Sequence, residues 1–398
     1  MKQKKQLPDS PEAAKIVSLR TCFREIGDLK FACLVFVLLC ILKSRTCNLN
    51  RAADYAPRGS RADKPSNALA DYTRLCRFFA TGIGEDLQKG VFRAVLRLAM
   101  QSGCPTALVM DRTDWELGKS SWCNLLTVGL SFKGYFIPLV WEDLGRRGNS
   151  DAASRLALID RLLAWWPYEE VSPKKFPLLA DREFAGEQWL VDLAKRGFLF
   201  VVRLKSNRQL TIWMEGAIRE RPAGARALRR FLARKGLNSA EIVLVGEYIC
   251  HFVALKNTAG RDKEPWIYLF TNLDEPQFAG DFYRLRWTIE CCFKHLKSNG
   301  FNLEDHAFVK PHQIDIVMAI VVLLYVLCLI GAFIDLKENL AQNRTTKTKK
   351  YKNGKTYAAK SVFRIGLARL TKLNNAATDF IYFANHLFNC FSTTYTFT

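Results

Sequence analysis

Acidic residues, histidines and paired cysteines are scarce in this chain of 398 residues. It has 38 Asp and Glu against 59 Lys and Arg, and the resulting net charge of +21 indicates a polyanionic partner. None of the 12 cysteines forms a Cys-x2-Cys pair and there are five histidines, which excludes a zinc module and a dense disulfide framework. We interpret the cysteines as mostly buried thiols in a reducing compartment. Hydrophobic residues make up 49 %, which excludes a disordered chain and, with the length, favours two or three domains.

Two apolar runs bear on whether the chain enters a membrane. Residues 31–42 are shorter than a bilayer span and follow several acidic residues, so they predict neither a signal peptide nor a spanning helix. Residues 316–334 have no ionisable group and approach the length of a transmembrane helix. A helix that is apolar on all sides is equally expected at the centre of a large domain, and Gly331 with the flanking Asp315 and Asp335 favours this buried helix over a membrane anchor.

The pattern of apolar residues divides the chain into five segments. Residues 1–100 predict helices that carry Arg among apolar residues, at 68–79 and 91–99, behind a basic loop at 51–64. Residues 101–205 alternate strands with helices, which is typical of an α/β fold. Residues 206–278 predict a mostly β insertion or small subdomain that includes a basic helix at 225–235, and residues 279–340 are helical again. Residues 341–398 hold a basic run suited to DNA contact or dimerisation, although a solvated loop is the alternative: Arg344, Lys347, Lys349, Lys350, Tyr351, Lys352, Lys355 and Tyr357.

The α/β segment contains two carboxylates that directly follow apolar strands. The predicted strands are 107–110, 125–132, 135–141, 178–180 and 198–202, with helices at 152–165 and 187–196; in the insertion they are 241–245, 248–255 and 266–271. Asp111 follows the first and Asp181 the fourth, each as an Asp-Arg dipeptide. One such Asp is more often a turn residue or a helix cap, but two in one α/β segment indicate carboxylates that converge at the rim of a sheet.

A third acid lies on a helix rich in cations. Tyr283, Arg286, Glu290, Lys294 and Lys297 are spaced by three, four, four and three residues, which places them on one helix face. Another stripe is apolar: Leu285, Ile289, Phe293 and Leu296. A surface helix with salt bridges is the alternative. Three acids with a cationic rim are what metal-assisted phosphodiester chemistry requires, because carboxylates bind Mg²⁺ and cations hold phosphates.

These residues match the motifs of a known family. The pattern Tyr-x2-Arg-x3-Glu-x6-Lys, met by Tyr283, Arg286, Glu290 and Lys297, resembles the signature of the IS4-type DDE transposases of bacterial insertion sequences. The segment Asp111-Arg-Thr-Asp-Trp115 resembles their first catalytic block and Ala180-Asp-Arg-Glu-Phe184 their second. The resemblance covers about residues 50 to 340. Asp114 departs from it, since close relatives more often have Asn there, and we expect Asp114 to support the metal site rather than to bind metal.

The resemblance implies an RNase H-like core interrupted by the β insertion and preceded by an α-helical DNA-binding domain. Asp111, Asp181 and Glu290 would bind two Mg²⁺ or Mn²⁺ ions, and the partner would be double-stranded DNA, both transposon ends and target, bound by a homodimer in the bacterial cytoplasm at the nucleoid. Excision through a hairpin end would use flipping of a base onto Trp266 and Trp287. Arg203 would contact DNA just beyond the fifth strand, and the other DNA-binding residues would be Tyr283, Arg286, Lys294 and Lys297. The alternatives are a core position for Trp266 and a solvated surface position for Arg203.

Two other functions keep most of these features. A structure-selective nuclease would retain the acids and the charge without strand transfer, and a DNA-binding relative without activity would retain only the fold and the charge.

Overall fold

A computed structural model describes residues 18–57, 67–101, 103, 105–118, 121–167, 171–205, 209–214, 217–222, 240–245, 248–257, 266–342, 347–350, 356–372 and 377–394. The predicted basic helix at 225–235 lies outside these residues, as do Arg344, Tyr351, Lys352 and Lys355. The fold is mixed α/β and divides into two compact units. The helical unit comprises the described residues of 1–103, 300–306 and 316–398, and the sheet unit those of 104–299 and 307–315.

The helical unit joins the beginning and the end of the chain in one core. Its described helices up to residue 103 are α1 (Leu19–Cys22), α2 (Asp28–Ser44), α3 (Leu49–Ala53), α4 (Ala68–Phe79) and α5 (Gly84–Gln101). Residues 51–53, predicted to lie in a loop, are therefore helical, because Asn48 caps α3 by accepting a hydrogen bond from the Arg51 backbone. The predicted helix at 68–79 has these bounds, and α5 contains the predicted residues 91–99.

Later helices complete this core. They are α10 (Pro311–Ala341, from residue 316 onward), α11 (Val362–Leu370) and α12 (Ala377–Thr394), beside the short strands β11 (Thr348–Lys350) and β12 (Thr356–Ala358). Asn385 of α12 accepts a hydrogen bond of 2.7 Å from the Leu19 backbone, and Lys43 of α2 donates one of 2.9 Å to the Thr371 carbonyl. The first and last described helices of the chain are thus tied together directly.

Helix α10 contains the long apolar run. Within the described residues it is the one helix long and apolar enough to cross a membrane, and 94 % of its most apolar 18-residue window is buried inside the protein. The prediction of a helix here is confirmed. Its burial favours the core-helix interpretation over the membrane anchor.

The sheet unit is built on one mixed sheet whose ten described strands have the order β3-β2-β1-β4-β5-β10-β9-β8-β6-β7. β1 is parallel to β4 and β4 to β5, whereas the other neighbouring pairs are antiparallel. The strands are β1 (Ala107–Leu117), β2 (Ser121–Phe132), β3 (Tyr135–Asp143), β4 (Leu178–Ala180), β5 (Phe200–Arg203), β6 (Gln209–Met214), β7 (Ala217–Pro222), β8 (Ala240–Val245), β9 (Tyr248–Lys256) and β10 (Trp266–Thr271). Strands from residues 206–278 therefore extend the same sheet as the strands before them.

Consecutive residues of the central strands are buried, as expected when both faces of a sheet are covered. The covering helices include α6 (Ala152–Trp165), α7 (Glu187–Lys195), α8 (Ala279–Leu285) and α9 (Trp287–Leu296). α8 packs on β4, β5 and β10, and α9 packs on β1 and β3. Phe293 of α9 meets Phe136 of β3 edge to face, with ring centroids 6.5 Å apart. The predicted apolar stripe is confirmed for Ile289, Phe293 and Leu296, which are buried on α9, whereas Leu285 ends the separate helix α8 and is half-buried.

Candidate active site

The sheet aligns three residues singled out in the sequence. Met110, Ala180 and Val202 are register partners on the parallel strands β1, β4 and β5. The residues that follow these three in the sequence are Asp111, Asp181 and Arg203, respectively. Because neighbouring strands lie about 5 Å apart, the two carboxylates and the guanidinium form a row at the carboxyl edge of the parallel strands. The predicted convergence of Asp111 and Asp181 on one sheet edge agrees with this arrangement.

Two positions in this row differ from the sequence prediction. Asp111 does not end its strand, because β1 continues to Leu117 by antiparallel pairing with β2 while its parallel pairing with β4 stops at Met110. Arg203 is the last residue of β5 rather than a residue beyond it, and it is buried. The solvated surface position considered for Arg203 is therefore wrong; it pairs with Leu269 of β10, which covers this part of the strand.

Helices α8 and α9 bring the third acid to the same edge. The Tyr283 hydroxyl donates a hydrogen bond of 3.1 Å to Oδ1 of Asp181. Arg286 lies between the two helices and donates through Nη1 to Oδ2 of Asp111 at 3.1 Å and through Nη2 to Oε1 of Glu290. One guanidinium thus joins a strand carboxylate to a helix carboxylate that lies 179 positions later in the numbering. A surface helix with salt bridges does not account for this arrangement, since Tyr283 and Arg286 are both buried.

Burial sets the electrostatics of the cluster. It raises the pKa of Asp111 to about 7, with further upward contributions from Asp181 and Glu183, and against the lowering effects of Arg286 and the Arg112 backbone N–H. Burial alone would lower the pKa of the Arg286 guanidinium, but Tyr283 and the carboxylates of Asp181, Asp111 and Glu290 raise it. The site therefore concentrates negative charge that a cation relieves, and Arg286 is the cation that contacts two of its carboxylates.

A second ion pair links a neighbour of Asp111 to a neighbour of Asp181, and sequence reasoning missed it. Arg112 donates through Nε to both carboxylate oxygens of Glu183, at 2.8 and 3.1 Å. Arg112 follows Asp111 directly and Glu183 lies two residues after Asp181, so the pair fixes the spacing of the two catalytic candidates. The available signal was the opposite charge of these neighbours in the two Asp-Arg blocks.

The remaining predicted residues surround the cluster. Lys294 and Trp287 are exposed, Trp287 to 61 %, so both are available to a ligand. Lys297 donates to the Asp114 carbonyl at 3.3 Å and lies 4.7 Å above the Trp115 ring, beyond the end of α9. Trp266 is half-buried at the start of β10. Because β10 runs antiparallel to β5 and its Leu269 pairs with Arg203, Trp266 lies at the same edge of the sheet as Arg203.

Comparison with known families identifies the domain that contains this cluster. The transposase DDE domain family matches residues 102–327, more than half of the chain and all of the clustered acids. The chain belongs to this family. No curated protein matches it. As a DDE transposase, the protein acts on DNA in transposition and recombination, and enzymes of this family generally use divalent metals.

The donor atoms of this DDE domain suit such a metal, although their present arrangement does not form a ligand cluster. Among the described residues, no group of three or more His, Cys, Asp and Glu is arranged to hold a metal ion. Carboxylate oxygens are the ligands that hard divalent cations prefer, and Asp111, Asp181 and Glu290 supply them. Arg286 and Tyr283 engage one oxygen on each of these carboxylates. The donor atoms of these residues therefore fit a divalent cation in their chemistry.

Proposed function

We propose that this protein is an IS4-type transposase that binds the terminal inverted repeats of an insertion sequence, cuts DNA at the element ends and joins those ends to target DNA. The observation that carries the proposal is the meeting of Asp111, Asp181 and Glu290 around Arg286 and Tyr283. These five residues come from the three sequence blocks that resemble the family's catalytic motifs.

In this proposal Asp111, Asp181 and Glu290 hold Mg²⁺ or Mn²⁺, two ions in all. When bound, the ions activate the attacking oxygen and stabilise the leaving oxygen of a phosphodiester. Tyr283 orients the Asp181 carboxylate through its hydroxyl hydrogen bond. Arg286 keeps Asp111 and Glu290 close together, and its charge offsets their mutual repulsion before DNA arrives.

Cations and aromatic residues around the acids would hold the DNA. Lys294 is exposed one helical turn after Glu290, and Lys297 lies just beyond the end of α9. We assign these two to phosphate contacts. Arg203 is buried in the row itself, so we assign its charge to the carboxylates rather than to a phosphate. Trp266 and Trp287 would stack on a flipped base if excision passes through a hairpin end, and the exposure of Trp287 supports that role.

The wider architecture in this proposal is an RNase H-like core with a β insertion at 206–278 and an α-helical DNA-binding domain at 1–100. Arg74 and Arg77 on α4 support DNA binding by the N-terminal segment, since their charges accompany a helix whose buried side is Leu75, Phe78 and Phe79. The active complex would be a homodimer on paired transposon ends in the bacterial cytoplasm, with the basic segment 341–398 contacting DNA or the second copy.

The test is cleavage of linear DNA that carries the element's own ends, with Mg²⁺ or Mn²⁺, with EDTA, and with the variant Glu290→Ala. We expect metal-dependent nicks at the end junction that this variant loses, followed by joint molecules with target DNA. The matched control Asp274→Ala removes an exposed acid of the same unit and should cut normally. Cutting without joint molecules would identify a structure-selective nuclease, and binding without cutting would identify an inactive DNA-binding relative.

A further inference from the structure

The loop between β3 and α6, residues 144–151, is anchored by hydrogen bonds beside the carboxylate cluster. Its main anchor is Asn124 of β2, which is fully buried. The side-chain amide of Asn124 donates to the carbonyls of Arg146 and Gly148, both at 2.8 Å, and its backbone carbonyl accepts from Leu144 at 2.9 Å. Gly148 has a φ of +98°, a conformation that side chains disfavour. The loop conformation is thus specified by a buried polar side chain and not by apolar packing.

The same loop contacts the residues that flank the catalytic acids. Nη2 of Arg112, the residue after Asp111, donates to Oδ1 of Asn149 at 3.2 Å. Arg155 of α6 donates to Oγ of Ser150 at 2.8 Å and to the carbonyl of Glu183 at 3.2 Å. Any movement of the loop would therefore disturb hydrogen bonds next to both Asp111 and Asp181.

The exposed surface of this loop carries two arginines. Arg146 and Arg147 are both exposed. Arg146 pairs with Asp151 at 2.7 Å, whereas among the described residues no carboxylate pairs with Arg147. The Arg147 guanidinium lies 5.1 Å from the ring centre of Trp122, whose indole N–H donates to Asp114 at 3.4 Å. This cation–π contact holds the guanidinium near the ring, and because Arg147 is exposed its N–H donors can reach a phosphate.

We propose that the β3–α6 loop is a DNA-phosphate contact of this transposase, with Arg147 as the contacting residue and Asn124 as the residue that positions it. The inference rests on the proposed function, because the loop is placed by residues beside the acids that would cut the DNA. Its partner is the backbone of the strand that reaches the acids, since an exposed arginine on a protein of net charge +21 attracts phosphates without reading bases.

The test measures binding of full-length protein to a fluorescent duplex with the element's end sequence, between about 50 and 300 mM KCl. Arg147→Gln should weaken binding by roughly tenfold at the lowest salt and reduce the slope of log K against log salt by about one. Arg147→Lys should keep the slope and recover only part of the affinity, because Lys has charge without the planar guanidinium. The control is Arg196→Gln. Arg196 lies between the end of α7 and the start of β5, toward the opposite edge of the sheet from the carboxylates, so this variant should bind DNA as the wild type does.

Asn124→Ala separates positioning from general stability. It should weaken binding as much as Arg147→Gln, and combining the two should cause no further loss, because both remove the same contact. An additive double variant would overturn the positioning role. An Arg147→Gln variant with the salt slope and affinity of Arg196→Gln would overturn the loop contact while leaving the proposed function intact. Salt-independent binding or no binding by the wild type would overturn both.

Discussion

The carboxyl edge of the sheet and helix α10 are both buried, but they bury different groups. At the sheet edge, Asp111, Tyr283 and Arg286 are largely removed from water and each has a hydrogen-bond partner among the others or their neighbours. Helix α10 buries a long run of mostly aliphatic residues from Ile316 to Ile330. Burying aliphatic groups stabilises a fold, whereas burying charged groups costs free energy unless they are paired.

This difference distinguishes residues that are kept for function from residues that are kept for stability. Like charges brought together at a strand edge are retained against their electrostatic cost, which is typical of sites selected for chemistry and not for stability. Substitutions at the sheet edge should therefore remove activity and leave stability, and substitutions along α10 should do the reverse.

The largest expected effect is at the sheet edge. Asp181→Asn preserves an oxygen that can accept the Tyr283 hydrogen bond and removes the negative charge that a divalent cation requires. We expect DNA cleavage to fall by at least about 10³-fold, while DNA affinity and the melting temperature stay close to the wild-type values. Cleavage assays beside thermal melts of the same preparations measure both. Cleavage within about tenfold of wild type would show that Asp181 is not a metal ligand.

A smaller loss is expected at the pair that spaces the acids. Arg112→Gln and Glu183→Gln each break the ion pair without changing the residues that would hold metal. Each should lower cleavage by about 10- to 100-fold, as for other residues that orient metal ligands. The double variant should be no worse than Arg112→Gln alone, because that variant already removes the Glu183 contact together with the hydrogen bond to Asn149.

The control for this pair is the exposed ion pair of Arg196 with Asp160 in the same unit. Arg196→Gln with Asp160→Asn should cleave DNA normally. Fully additive losses from Arg112→Gln and Glu183→Gln would contradict a shared positioning role and indicate two independent functions.

The opposite outcome is expected beside α10. A Cβ added at Gly366 of α11 would lie 1.7 Å from the carbonyl oxygen of Cys328, so this glycine lets the two helices approach closely. Gly366→Ala should destabilise the protein by about 1–3 kcal/mol, measured by denaturant unfolding. In the matched variant Gly331→Ala the added Cβ meets side chains and no backbone, the nearest being a Leu370 methyl at 3.2 Å, so stability should change by less than about 1 kcal/mol. Equal effects would show that close helix contact does not determine stability here.

Local sequence patterns predicted most of the elements near the site. The strands Leu178–Ala180 and Trp266–Thr271 and the helix Ala152–Trp165 have the predicted bounds. Each is a short apolar or amphipathic run that ends at a break in its pattern, so its limits are set by neighbours in sequence. The helix spacing that linked Tyr283, Arg286 and Glu290 also depends only on local geometry.

What local patterns missed depends on partners far along the chain. The length of β1 is set by its pairing with β2, although the alternation of exposed Asp114 and Glu116 with buried Trp115 and Leu117 was a usable strand signal. The burial of Arg203 depends on β10, which pairs with it from about 65 residues later. The Arg112–Glu183 pair required knowing that β1 and β4 are neighbours.

The smallest effect concerns the half-buried acid Asp315, and this effect depends on pH. Asp315, which lies in the first turns of α10 within the sheet unit, has its pKa raised to about 6 by burial, with Asp143 and Glu142 adding to the rise and Arg161 opposing it. The folded state therefore holds this proton more tightly than the unfolded state. The stability that this tighter proton binding contributes is complete below about pH 4 and is lost as the pH rises through about 6.

Asp315→Asn removes that loss, so the variant should be more stable than the wild type at pH 8 by about 1–2 kcal/mol and equally stable near pH 4. The gain is smaller than the full pKa shift implies because the side chain is partly exposed. Urea unfolding at both pH values measures the difference, with the exposed Asp274→Asn as a control that should show none. A loss of stability at pH 8 would mean that the neighbours of Asp315 stabilise its carboxylate more than burial destabilises it, and would contradict the raised pKa of this group.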